Sequence, residues 1–112
     1  MSKDLEKIKK YGEKKKSAKL MKYLNSKDSE IRIAAMRALV ACGDETGYNT
    51  LVNMMNDSNP EVRAAAATGL GETKKDSAFT HLSHHMSTEK DDKVLDAIRS
   101  AMSKVRETTH TA

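Results

Sequence analysis

A chain of 112 residues with a net charge of +4, one cysteine, 4% aromatic residues and no tryptophan is one domain or a short array of repeats. It is large enough to bury a core without metals or disulfides, and Cys42 alone excludes an internal disulfide and fits a reducing compartment. No apolar run approaches transmembrane length, and the opening MSKDLEKIKK carries charges where a signal peptide needs apolar residues, so a soluble cytoplasmic protein with no membrane contact is expected.

Ala, Met and Leu supply most of the apolar side chains. That mix suits close helix packing and suits β-sheets poorly, so the chain reads as all-α. Charge is unevenly spread. Ten lysines against three acids give residues 1–27 a net charge of +7, whereas ten Lys and Arg against thirteen acids give residues 28–112 a net charge of −3. Such asymmetry can mark an interaction surface.

In chain order, the first segment is KDLEKIKKYG, with Leu5 and Ile8 at helical spacing. A second helix follows over SAKLMKYL (17–24), and a third over DSEIRIAAMRAL (28–39), after which Gly43 is placed to terminate it in a left-handed conformation. The pair then recurs as YNTLVNMM (48–55) with NPEVRAAAATGL (59–70), and as FTHLSHHM (79–86) with DDKVLDAIRSAM (91–102). Leu20, Leu51 and Leu82 are each 31 residues apart, as are Leu24, Met55 and Met86; the third copy has one extra residue around STEKDDK. The unit is helix A, turn, helix B. In helix B, Ile31/Val62/Val94, Ala34/Ala65/Ala97, Ala35/Ala66/Ile98, Ala38/Gly69/Ala101 and Leu39/Leu70/Met102 form columns at offsets 0, 3, 4, 7 and 8, one face of an α-helix. Asp28, Asn59 and Asp91 stand at the N-cap, and Pro60 at the first helical position, where a missing N–H costs nothing. Gly69 sacrifices about 1 kcal/mol of helix propensity against Ala, which implies a packing reason.

Counting back 31 residues, Ile8 falls on Leu39 and Leu5 on Met36, so the first segment aligns with the end of a B helix. The expected architecture is an α-solenoid of about three stacked repeats (14–43, 45–74 and 76–106), with an N-terminal half-repeat cap over 1–12 and a disordered tail over 108–112.

The pattern D-x-x-[IV]-R-x-A-A-x-x-A-L, behind a helix x-x-L-x-x-x-[LM], resembles HEAT-like repeats, and is most similar to the short variety named after phycobilisome lyases. The resemblance covers residues 17–106 and is strongest over EIRIAAMRALVACGDE and PEVRAAAATGLGE. The third copy departs from it, with Leu95 where Arg32 and Arg63 stand and Ile98 where the others have alanine. The resemblance implies that an arginine in this column bonds to acids or carbonyls of the adjacent repeat, and Asp28 and Asp57 are the acids in reach.

Chemistry is sparse. His81 and His85 are spaced i, i+4, with His84 beside them, and could share a metal, but no third ligand is fixed, and His81 and His84 align with polar outer residues. Some enzymes on HEAT-like arrays hold iron through His-Glu dipeptides, and this chain has none. GLGE lacks the spacing and lysine of a phosphate loop, Cys42 has no obligatory base, and Asp91-Asp92 is explained by capping. No catalysis, cofactor or metal is expected.

What remains is binding. The B-helix columns off the core face are Arg32/Arg63/Leu95, Met36/Ala67/Arg99 and Arg37/Thr68/Ser100, so a protein partner on the concave face should meet Arg32, Met36, Arg37, Arg63 and Arg99. The alternative is nucleic-acid binding through Lys14, Lys15, Lys16, Lys19 and Lys22, with Tyr11 and Tyr23 interleaved for stacking. Against it, Asp4, Glu6 and Glu13 alternate with the lysines at i to i+4 spacing, as on a solvated face. A third reading is an accessory subunit of an enzyme. The chain itself is expected to be a monomer or a weak oligomer.

Overall fold

The computed structural model describes residues 3–110, with side chains described through residue 107. Helix α1 (Lys3–Glu13) is followed by α2 (Ser17–Leu20), which tightens into a 3-10 helix over Met21–Asn25. Then come α3 (Ser29–Cys42), α4 (Glu45–Met54), α5 (Pro60–Thr73), α6 (Asp76–Met86) and α7 (Asp92–His110). No strand interrupts them among the described residues.

The local signals act as the sequence implies. The side chain of Asp28 accepts from the Glu30 amide, that of Asn59 from the Glu61 amide, and that of Asp91 from the amides of Lys93 and Val94. Each satisfies N–H groups that the first turn of a helix leaves without partners. Gly43 ends α3 at φ +65°, a conformation open to glycine without steric cost.

The first A helix differs from the continuous α-helix expected over 17–24. Residues three apart eclipse in a 3-10 helix, which brings Leu20 and Tyr23 onto one side; both are buried, with Leu24 next to them.

B helices form the inner row: α1 packs on α3, α3 on α5, and α5 most extensively on α7, while α4 and α6 lie against α5 and α7. Helix α1 therefore occupies the place of a B helix, as its alignment suggests. One apolar cluster runs through the row from Ile8 to Val105.

The close approaches explain the glycines of GLG. A Cβ on Gly69 would sit 2.8 Å from Met36 Sδ and 3.1 Å from Leu51 Cδ2, and one on Gly71 would sit 2.7 Å from the Cα of Ala101. Two residues apart, these glycines point about 200° apart, one toward the preceding repeat and one toward the next. At the head of the row Gly12 meets Ala38 in the same way, where a Cβ would lie 3.0 Å from the alanine methyl.

The contact with Gly69 also overturns one expectation. Met36 is 2% exposed, inside the core rather than off the packed face of its helix. In α3 the buried residues are Ile31, Arg32, Ala35, Met36, Ala38, Leu39 and Cys42. At 100° per residue they span an arc of roughly 160°, turned by about 50° from the face marked by the alanine columns. The reason is that α3 is flanked by A helices and by B helices on both sides. Ala34 and Ala97, taken as contact columns, are only half-buried.

At the other end, α7 continues through His110, so residues 108–110 are helical where a disordered tail was expected. Val105 is buried and holds the last turns against the core. Residues 111 and 112 lie outside the described residues.

Candidate functional site

Arg32 and Arg63 repeat one device. Arg32 donates from Nη1 to the Ser26 carbonyl at 2.6 Å, and from Nη2 to Glu61 Oε2 at 2.8 Å. Arg63 donates from Nη1 to the carbonyls of Asp57 (2.8 Å) and Ser58 (3.2 Å), and it grips Glu89 with Nε at 2.9 Å and Nη2 at 3.1 Å. Each arginine ties the A–B turn of its own repeat to a glutamate of the next. The acids are Glu61 and Glu89, not Asp28; Asp57 takes part through its backbone. Leu95, third in the column, makes no such tie.

Glu89 is the most strongly held of these groups. Its side chain is 3% exposed and accepts from Arg63, from His85 Nε2 at 2.9 Å and from the Asp91 amide at 3.1 Å. The Arg63 hydrogen bonds, with those of Asp91 and His85, hold its carboxyl down at about 2, and Glu89 in turn raises the Arg63 guanidinium above its ordinary range. A smaller joint links the first two repeats: Asp44 caps α4 by accepting from the Gly47 amide at 2.8 Å and accepts from Ser17 Oγ at 2.8 Å. Those two bonds lower its carboxyl in the same order.

Two of the five residues offered to a protein partner, Arg32 and Arg63, are thus committed to holding the repeats together, and a third, Met36, is core. Arg99 is exposed but pairs loosely with Asp96 of its own helix, and it borders a hollow with Phe79 and Met86, away from the other four. Only Arg37 stays exposed on the inner face.

That face carries a groove of about 780 Å³ crossing α3, α5 and the start of α7. Its floor is Ile33, Ala64, Ala65 and Pro60, with Met36 showing only an edge, and its rim holds Arg37 and Thr68 on one side and Asp91, Asp92 and Lys93 on the other. Ile33 is 41% exposed, and within the described residues only Met21 is a more exposed large apolar side chain. The groove exists because Ala64 and Pro60 stand opposite Ile33 where a larger residue would fill the space. Sequence reasoning named Arg37 and Thr68 but missed Ile33, whose signal was an isoleucine standing on none of the core columns.

The lysines Lys14, Lys15, Lys16, Lys19 and Lys22 are all exposed. Lys15 takes a left-handed conformation at φ 55° where α1 ends, and its amide donates to the Gly12 carbonyl at 3.1 Å while that of Lys16 donates to Tyr11 at 2.9 Å. Tyr23, expected as a stacking surface, is 7% exposed, with the Lys22 ammonium 5.2 Å from its ring centre.

His81 lies edge-on to Tyr48, with ring centres 6.3 Å apart, while His85 is engaged by Glu89, so the i, i+4 pair is drawn to different partners. Among the described residues no three His, Cys, Asp or Glu are grouped to hold a metal ion. Cys42 is buried, and burial, then the Asp44 charge, pushes its thiol up, keeping it protonated at neutral pH.

A model of HEAT repeats matches residues 17–103, most of the chain. The chain belongs to the HEAT repeat family. Its helices form a small HEAT-type α-solenoid, and repeats of this family generally mediate protein–protein interaction and are typically non-enzymatic scaffolds. None of the curated proteins matches the chain. No described helix of this HEAT array is long and apolar enough to cross a membrane.

Proposed function

We propose that this chain is a non-catalytic interaction module that seats a protein partner in the groove across α3, α5 and α7. The observation that carries the reading is Ile33. It stands on the inner face beside Pro60, Ala64 and Ala65, so that an apolar groove lining rather than one isolated side chain meets water, with charges of both signs around it. A partner inserting an apolar side chain between Ile33 and Ala64 would meet Arg37 on one rim and Asp92 on the other.

The test is affinity capture from an extract of the source cell, read by mass spectrometry, comparing the wild-type chain with Ile33→Asp combined with Arg37→Glu. Both positions are exposed, so helicity and melting temperature should be unchanged while the specific partner is lost. A partner retained at wild-type levels by the double variant would refute the groove. An enzyme recovered through the groove would make the chain its accessory subunit.

A further inference from the structure

The groove leaves the lysines unused. All ten lysines of residues 3–27 are exposed. Neither Glu6 nor Glu13 makes a salt bridge with any of them. On α1 the arrangement is ordered. Lys3, Lys7, Lys10 and Lys14 are spaced i, i+4, i+7 and i+11, which at 100° per residue places them within about 60° of one another. Lys14 continues the helical path, its amide donating to the Lys10 carbonyl at 3.0 Å. The opposite side of α1 holds Ile8 and Gly12, buried against α3, so the stripe faces away from the array.

Asp4 borders the stripe on one flank, three residues from Lys7, and Glu6 and Glu13 border it on the other, three or four residues from Lys3 and Lys10; none stands within the stripe itself. Like charges at these spacings work against a helix.

We infer that the lysine stripe of α1, continued by Lys15 and Lys16, is a sequence-independent binding surface for the phosphate backbone of a nucleic-acid duplex, separate from the groove. The stripe is about 16 Å long, the axial length of about five base pairs at 3.4 Å each. Lysine supplies point charges that suit a repeating phosphate array without reading bases. A duplex fits better than a single strand, because single-strand binding relies on aromatic platforms, and Tyr23 is buried while Tyr11 is half-buried against the core. The apolar side of α1 is taken up by α3, so it has no free face to insert into a membrane.

The experiment is fluorescence-anisotropy titration of the full chain with a mixed-sequence 20-base-pair DNA duplex across salt concentrations. Four phosphate contacts predict a log–log salt slope near −3.6, so affinity should fall on the order of a hundredfold between 50 and 200 mM salt. Lys7→Gln with Lys10→Gln and Lys14→Gln should flatten that slope by about 2.7 and remove most binding. Gln is a good helix former, so circular dichroism should be unchanged. Lys74→Glu with Lys90→Glu, two exposed lysines outside this region, should leave binding intact. No duplex binding at 50 mM salt, equal binding by the stripe variant, tighter binding to poly-dT than to duplex, or preference for phosphatidylserine vesicles over duplex would each overturn the inference.

Discussion

Replacing Glu89 by glutamine keeps the shape of the side chain and removes its charge, which isolates what the carboxylate does between the second and third repeats. In the folded chain its carboxyl is held at about 2 against an ordinary 4.5, by Arg63 first and then by the Asp91 amide and His85. A difference of that size corresponds to roughly 3 kcal/mol of stability at neutral pH. Because the side chain is only 3% exposed, solvent does little to screen the loss. An amide accepts through one oxygen only, so one Arg63 donor is left without a partner at a site where the arginine side chain is 19% exposed. We expect Glu89→Gln to cost about 2–3 kcal/mol at pH 7, or roughly 10–20 °C in melting temperature for a chain of this size. The sign of the pH dependence follows from the depressed value. The carboxylate's contribution is complete above about pH 5 and disappears as the pH falls from 4.5 toward 2, so the gap between wild type and variant should close over that window. Urea denaturation followed by circular dichroism at pH 7, 5, 4 and 3 measures it. A gap constant over that range would mean that the loss comes from packing, and no gap at pH 7 would refute the joint altogether.

Two further changes probe the packing and the backbone. Gly71→Ala should destabilise by about 1–2 kcal/mol, because the new methyl meets the Cα of Ala101 and backbone cannot yield. Gly69→Ala should be nearly neutral, since its obstacles are the flexible ends of Met36 and Leu51 and alanine recovers about 1 kcal/mol of propensity; equal thermal shifts for the two would put α5 in the wrong register. Lys74→Gly should stabilise by a few tenths to about 1 kcal/mol by relieving a left-handed residue at φ 56°, and a lower melting temperature would contradict that reading.

The fold was legible because the 31-residue recurrence, the caps at Asp28, Asn59 and Asp91, and the small-residue columns all describe properties that one repeat carries within itself. The exact rotation of each B helix is a different kind of quantity. It depends on which neighbour fills which gap, and Met36 shows this: its side chain packs against Gly69, 33 residues later, where a Cβ would sit 2.8 Å from its Sδ. Periodicity along α3 cannot contain that fact, so the packed arc was placed about 50° away. The same error exchanged Ile33, which is exposed, for Met36, which is not. The arginine column was found, and its use in tying repeats was anticipated. Its partners were not, because Glu61 and Glu89 lie 29 and 26 residues beyond their arginines, offsets that match neither each other nor the repeat period. An offset that varies from copy to copy leaves no periodic trace.

The stripe on α1 bears on the same separation between what a fold needs and what a surface does. Lys3, Lys7, Lys10 and Lys14 give α1 three like-charge neighbour pairs, each opposing the helix by about 0.2–0.5 kcal/mol. Lys7→Glu converts two of those pairs into attractive ones against one new like-charge pair with Asp4, so on balance it should raise the melting temperature slightly while weakening duplex binding. A residue that serves only the fold cannot behave this way, because there stability and function fall together, as they must for Glu89. Opposite movement of the two measurements at Lys7 would place the stripe among binding features rather than structural ones. Parallel movement, or a loss of stability, would return it to the solvated face of a cap.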